Sequence, residues 1–290
     1  MVVNDCTQCG KTTYIVKGGK EWAYAEVCPC SQRCDICHNR GYLLKKNERG
    51  YTYATPCACH FLRARVSYFN EARIPARYFD KSVSFYKDLG GNQNSVKYWL
   101  LNYEKNYQAG QKGFVLMGKP GTGKTHLMTA VLKHLILENG HKARFIDFFQ
   151  LLSRIREQYE QRKSEGEIIA PLVSVPILAV DELGKGRNTD WELSILDEII
   201  SRRYNNSLTT FITTNYISES AQKQESTEAG LTQIGSNIRT NESATSKAAE
   251  APHFESLEER IGIRICSRLC EMCHMKIING PDFRQYNPEV

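Results

Sequence analysis

Two kinds of chemistry are written into this 290-residue chain. The first is metal binding by thiolates. Eight of the 11 cysteines lie between Cys6 and Cys59, and their spacing repeats. Cys6 and Cys9 form a CxxC pair followed by Cys28 and Cys30 as CxC. Cys34 and Cys37 form a second CxxC pair followed by Cys57 and Cys59. The repeat extends beyond the sulfurs. Tyr24-Ala25 precedes Cys28 as Tyr53-Ala54 precedes Cys57, and Tyr14-Ile15-Val16 matches Tyr42-Leu43-Leu44. A tetrahedral Zn2+ takes four ligands, and two knuckles on a hairpin supply two sulfurs each. Two tandem zinc ribbons are therefore expected. Neither holds enough apolar residues to fold alone, so metal supplies the folding free energy. Spacing leaves open whether the ligand sets are local or interleaved. His38 and His60 adjoin Cys37 and Cys59 as substitute ligands.

The second chemistry concerns phosphate. Gly118-Lys119-Pro120-Gly121-Thr122-Gly123-Lys124-Thr125 reads GxxxxGK[ST]. Gly121 and Gly123 let the backbone curl so that its amides face phosphate oxygens. Lys124 is expected on the β- and γ-phosphates of ATP, and Thr125 on Mg2+. His126 opens the following helix, whose N-terminus favours an anion. Some 55 residues on comes Asp181-Glu182. Asp181 is expected to hold Mg2+ and Glu182 to polarise the attacking water. Asn215 is a third candidate, as a water-orienting or γ-phosphate-sensing amide.

These groups need a scaffold. Phe114–Met117, Val175–Val180 and Thr209–Thr214 read as short buried strands, the context a parallel sheet gives. Helices are expected over His126–Glu138 and Phe148–Arg162, and another after Asp181-Glu182 ending in Ser201-Arg202-Arg203-Tyr204. Gly18-Gly19 and Asn47–Gly50 look like hairpin tips. Cys266, Cys270 and Cys273 are expected in one helical segment with Ile261, Ile265, Leu269 and Met272, packed as small apolar groups.

Composition excludes much else. The apolar share is 41% and the charged share 24%, ordinary for a globular chain. No long apolar run offers a membrane span, and nothing at the N-terminus resembles a signal peptide. A reducing cytoplasmic setting is expected, which makes disulfides a poor account of the cysteines. The net charge is +6, of which residues 1–65 carry +5. Eight zinc-bound thiolates would offset most of that excess. Nucleic-acid binding must therefore be sought in local clusters: Arg154, Arg156 and Arg162 on one helix, and Arg202, Arg203 and Tyr204 at the end of another. Residues 217–253 hold no aromatic residue and are rich in Ser, Glu, Ala, Gln and Thr, which predicts a disordered insertion.

The phosphate loop, Asp181-Glu182-Leu183-Gly184, Thr213-Thr214-Asn215-Tyr216 and Leu257-Glu258-Glu259-Arg260-Ile261 to Arg268-Leu269 together resemble the DnaC/DnaI/IstB group of AAA+ ATPases. Arg73-Ile74-Pro75-Ala76-Arg77-Tyr78-Phe79 with Phe85 is similar to the stretch leading into that core. The resemblance implies an α/β P-loop AAA+ fold, a parallel sheet sandwiched by helices, with the tandem ribbons added. The cysteine repeat places the tandem ribbons over 1–65, where the DnaI-like members have one such module; a linker and helix are expected over 66–112 and the ATPase domain over 113–290. The resemblance also implies ATP bound between self-associated subunits and single-stranded DNA in a central channel. Within it Arg264 matches the arginine finger and Arg284 the second sensor arginine. Arg260, Arg264 and Arg268 lie on one helical stripe, and their pattern alone does not separate Arg260 from Arg264. The implied function is a helicase loader with a hexameric replicative helicase as partner. The alternatives are a transposition helper serving a transposase, and a non-hydrolysing zinc adaptor.

Overall fold

Strand β5 (Gly113–Met117) is buried at every position, as a parallel strand covered on both faces must be. Its side chains alternate. Phe114 and Leu116 join one apolar cluster and Val115 and Met117 the other. The computed structural model describes residues 6–161, 164–219, 221–222 and 255–285. In it β5 shares a sheet with β6 (Ala143–Asp147), β7 (Ile177–Asp181), β8 (Thr209–Thr214) and β9 (Cys273–Ile277). The order is β6-β7-β8-β5-β9, with every pairing parallel. The strand carrying Asp181 is thus one place removed from the strand that feeds the phosphate loop.

Helices cover both faces. On one side lie α1 (Ala58–Ala72), α2 (Gln93–Lys105) and α3 (Lys124–Leu137), which bury Phe69, Leu100 and Leu132. On the other lie α4 (Phe148–Glu160), α5 (Gly166–Ser174), α6 (Asp190–Asn205) and α8 (Ile263–Met272). They contribute Leu152, Ile169, Ile199 and Leu269. The short α7 (Leu257–Ile261) precedes α8, and Ser256 with Glu259 closes a capping box on it. Among the described residues no helix is long and apolar enough to cross a membrane.

The N-terminal cysteines flank two antiparallel hairpins, β1 (Tyr14–Gly18) with β2 (Ala23–Val27) and β3 (Tyr42–Lys46) with β4 (Thr52–Pro56). The Asn47 carboxamide oxygen accepts from the Arg49 and Tyr51 amides (3.1 and 2.9 Å) and shapes the second tip. Helix α1 begins right after Cys57, runs across residue 65 and packs on β2.

Three expectations change. Cys273 does not continue the helix of Cys266 and Cys270. It opens β9, where it is buried and donates to the Thr210 carbonyl (3.4 Å). The parallel place beside β5 outweighs the helical run of apolar residues before it. The start of the expected insertion is packed: Ser218 is buried and donates to Glu258 (2.7 Å). Residues 220 and 223–254 lie outside the described residues, as does Arg162. Arg203, expected on DNA, is fully buried. Its guanidinium donates to the carbonyls of Leu172 (2.7 Å), Val175 (2.9 Å) and Thr209 (2.6 Å) and to the Thr210 hydroxyl (3.0 Å). It joins the end of α5 to the start of β8 by satisfying backbone acceptors that would otherwise be buried without donors.

Candidate functional site

The phosphate loop connects β5 directly to α3. Gly121 and Gly123 adopt φ of 83° and 84°, where a side chain is strained. Space forbids one as well: a Cβ on Gly121 would meet the Asp282 carboxylate, and one on Gly123 the Tyr86 ring. Lys124 is buried at the first turn of α3. Its Nζ donates to the carbonyls of Gly118 (2.7 Å) and Lys119 (2.8 Å). Burial lowers its pKa to about 8, an effect that nearby Asp181 opposes. Thr122 donates to Lys119 (3.0 Å), closing the curl. The geometry is that of a cradle whose lysine is folded against its own backbone.

Asp181 ends β7 and is buried. Thr125 donates to its Oδ1 (2.8 Å), and the Thr213 hydroxyl donates to the same oxygen. Burial raises the Asp181 pKa to about 6, against the pull of those two hydroxyls. A hydroxyl and a carboxylate 2.8 Å apart are a hard-oxygen pair suited to Mg2+. Glu182 does not begin a helix, because α6 starts only at Asp190. It stands at φ 56°, with its amide donating to Thr213 Oγ1 (3.1 Å) and its carboxylate paired with Lys185. A non-glycine residue in the left-handed region costs on the order of 1–3 kcal/mol and is common at working sites.

A cleft of about 800 Å3 opens here. Thr125, Asp181, Glu182, Lys185 and Arg284 line it, together with Tyr78 and Asp147. Arg284 is brought in by the C-terminal segment, where the Phe283 amide donates to the Gly121 carbonyl (3.0 Å). Asn215 follows β8, the strand between β7 and β5. It is exposed and does not line the cleft. His126 turns the other way, 3.3 Å from the Ser82 carbonyl and edge-on to Tyr86. Tyr86 escaped the sequence reading. It is buried and donates to the Thr122 carbonyl (2.7 Å), holding the loop, while its neighbour Phe85 is exposed. No spacing signal distinguishes the two.

The structure separates the arginines that pattern alone did not. Arg260 is 15% exposed and donates from Nε to the Gly184 carbonyl (2.6 Å) and from Nη2 to Gly186, over the Tyr216 ring. Arg264 is 76% exposed, and among the described residues its one ion pair is with Asp197 at 3.9 Å. Arg268 takes that aspartate at 2.6 Å. Arg260 thus ties down the loop after Glu182, and Arg264 points outward. The cations of α4 are engaged too: Arg154 with Glu21 (3.9 Å), and Arg156 with Glu192 (2.7 Å) and the Trp191 ring.

The cysteines form two local sets, Cys6, Cys9, Cys28 and Cys30, then Cys34, Cys37, Cys57 and Cys59. Within them, Cys6–Cys28, Cys9–Cys30 and Cys34–Cys57 stand 3.7 Å apart at sulfur and Cys37–Cys59 3.4 Å. A tetrahedron with Zn–S of about 2.3 Å has sulfurs about 3.8 Å apart. The sets fit zinc, and His38 and His60 belong to neither. Backbone amides of Cys9 and Gln8 pull the Cys6 thiol down to about 7, as a metal-binding knuckle does.

A five-stranded parallel sheet with a phosphate loop after one strand and an acidic pair ending another defines a P-loop ATPase fold of the AAA+ type. Residues 64–232 match the family model described as IstB-like ATP binding protein, and the chain belongs to that family. It is 30% identical over 115 residues to a replicative helicase loader DnaC of Buchnera aphidicola, covering 39% of this chain and 46% of that one. It is 29% identical over 149 residues to the DnaC loader of Escherichia coli K12, covering 51% and 60%. The chain thus spans about half the length of these relatives. A crystal structure of the DnaC helicase loader superposes with a TM-score of 0.54 at 25% identity, covering 70% of this chain and 99% of that one. The family match begins beyond the second cysteine set.

Proposed function

We propose that this chain is an ATP-dependent helicase loader. It hydrolyses ATP as a switch while engaging single-stranded DNA and a hexameric replicative helicase. The observation that carries this reading is the meeting of Thr125, Asp181 and Glu182 beside an intact phosphate loop, with Arg264 facing outward. On ATP binding, Lys124 leaves the Gly118 and Lys119 carbonyls for the β- and γ-phosphates. Thr125 and Asp181 would hold Mg2+, which would supply neutralising charge to the phosphates. Glu182 takes a proton from the water that attacks the γ-phosphorus as the bond to the bridging oxygen breaks, leaving ADP and phosphate. Arg264 serves the γ-phosphate of a neighbouring subunit and Arg284 serves its own, while Asn215, exposed at the end of the central strand β8 and outside the cleft, serves the γ-phosphate only if ATP binding draws it inward. The ribbons over 1–65 tether the partner, residues 66–112 connect, and 113–290 form the ATPase unit. With Arg203 committed to the core, Arg154 and Arg156 on α4 and Arg202 on α6, each half exposed, are the cations that would exchange their protein carboxylates for the phosphates of single-stranded DNA.

The test is retention of partners on immobilised Glu182→Gln protein with ATP and magnesium, against a Lys124→Ala column. ATP-dependent capture of a replicative helicase supports the loader. Capture of a transposase instead moves the reading to a transposition helper, against which the tandem ribbons argue. Unchanged ATP affinity in Lys124→Ala refutes the loop assignment. Normal turnover in Glu182→Gln refutes the base.

A further inference from the structure

The two ribbons are repeats in register, yet only one is covered. Tyr14, Val16, Ala25 and Val27 share one face of the first hairpin, and the same positions of the second are Tyr42, Leu44, Ala54 and Pro56. In the first ribbon this face is core. Ala23 and Ala25 are 1% and 2% exposed, and Tyr14, Val16 and Val27 pack beside them. The cover is helix α1, with Leu62, Val66, Phe69 and Ala72 in the same cluster. The Asn70 side chain takes both outward groups of Ala25, accepting from its amide (2.7 Å) and donating to its carbonyl (3.1 Å). In the second ribbon Tyr42 is 44% and Leu44 61% exposed, Ala54 and Pro56 are exposed too, and none of the four belongs to either core cluster.

The substitutions between the repeats explain why this chain leaves the second face bare. Gly18 lets Phe79 approach within 3.2 Å of where a Cβ would stand, and its counterpart is Lys46. Buried Ala23 has Thr52 as its counterpart. A lysine and a threonine at those positions exclude the closing contacts the first ribbon makes, while the apolar centre, Tyr42, Leu44 and Ala54, is retained. Lys46 stands at the end of this same face, and the hairpin tip beside it carries Glu48 and Arg49, all exposed.

We propose that the Tyr42, Leu44, Ala54 and Pro56 face of the second ribbon docks an acidic amphipathic helix of a partner protein. The helix lies as α1 lies on the first ribbon, with an acidic flank on Lys46 and Arg49. Three features select this occupant. The same face, in the same register, already holds a helix once in this molecule. Aliphatic Leu44, Ala54 and Pro56 at its centre suit an apolar stripe better than stacked bases. Lys46 on the face and Arg49 at the tip make one end of it cationic, so the flank of the helix that meets that end is acidic. The proposal rests on reading the ribbons as the partner tether and adds which ribbon, which face and what shape of ligand.

The probe is a labelled peptide of residues 61–73 carrying Arg63→Glu and Arg65→Glu, an acidic version of the helix that covers the first ribbon. It is titrated against the full-length zinc-loaded protein, its Leu44→Asp and Lys46→Glu variants, and Ser67→Ala as a neutral control. Zinc content and ATP binding are measured on each. The expected result is saturable binding weakened at least tenfold by Leu44→Asp and about threefold by Lys46→Glu. Two zinc ions per chain and ATP affinity should stay unchanged. No binding up to about 1 mM overturns the proposal. So does equal binding by all variants. Loss of oligothymidylate binding in Leu44→Asp with the peptide indifferent overturns it in favour of nucleic acid, and loss of self-association in favour of a second copy. Retained ATP binding with a failed peptide titration leaves the ATPase reading standing. Lost ATP binding in the unmodified protein sinks that reading instead. If Leu44→Asp loses zinc, the Lys46→Glu result decides.

Discussion

The first and second ribbons share a ligand pattern, a hairpin register and a tyrosine at each matching position, and they meet opposite fates. The first is built into the ATPase core. Ala23 donates its amide to the Ile74 carbonyl (2.8 Å), Ala76 donates to Glu21 (2.9 Å), and the Tyr14 hydroxyl is bonded to Glu138 at the end of α3. The second has an apolar face turned outward. The lesson is that a metal site fixes a hairpin but not its neighbours. Whether a ribbon is scaffold or surface depends on a few side chains between the ligands. Here they are Gly18 and Ala23 against Lys46 and Thr52.

That contrast predicts a ranked set of effects. The largest belongs to the metal sites. Cys28→Ser should lower the zinc content from two ions to one and the main thermal transition by about 5–10 °C, since it frees a hairpin that is part of the core. Cys57→Ser should lose one zinc and leave that transition within about 2 °C. Calorimetry with metal analysis decides, and equal shifts would erase the distinction between the ribbons. Next comes Asn70→Ala, which strands both outward groups of Ala25 and should cost about 1–3 kcal/mol in denaturant unfolding. Among the described residues no side chain bonds the backbone of Ala54 in the same way. A matched pair follows. Ala25→Leu should destabilise by about 1–3 kcal/mol through overpacking, whereas Ala54→Leu should stay within about 0.5 kcal/mol. Denaturant midpoints at constant slope measure both. A cost at Ala54 as large as at Ala25 would mean that its face is covered in solution. The smallest effect is Lys17→Met. The Lys17–Glu26 pair at 2.6 Å is exposed on both sides, so its removal should leave the denaturant midpoint unmoved in high salt and barely moved in low salt.

The sites were legible in the chain to different depths. The phosphate loop, the acidic strand end and the eight thiols read off directly, because each is a short stretch whose residue types answer one local demand. Strand Thr209–Thr214 matched to the residue, since its run of β-branched residues around Phe211 is bounded by turn residues. Strands β6 and β9 were not read. Arg144, His274 and Lys276 interrupt their apolar pattern, and their strand form comes from the sheet they join. Tyr86 and Thr213 were missed as site residues for a related reason. A tyrosine holding a loop 36 residues away, and a threonine bonded across strands, leave no periodic trace. Arg203 misled in the opposite direction: a cation at a helix end reads as solvent-facing, yet the carbonyls of Leu172, Val175 and Thr209 converge on it.

Residue type and short spacing were enough to declare a phosphate loop with its acidic partner and two four-thiol zinc sites, because ligand geometry and backbone curl are satisfied within a few residues. Folding had to choose everything that depends on long separations. It chose local over interleaved sulfur sets, committed Arg260 to the loop after Glu182 while leaving Arg264 outside, and closed a helix over one ribbon but not the other. Those outcomes turn on burial, and burial is a property of residues that meet across the fold, not of their order along the chain.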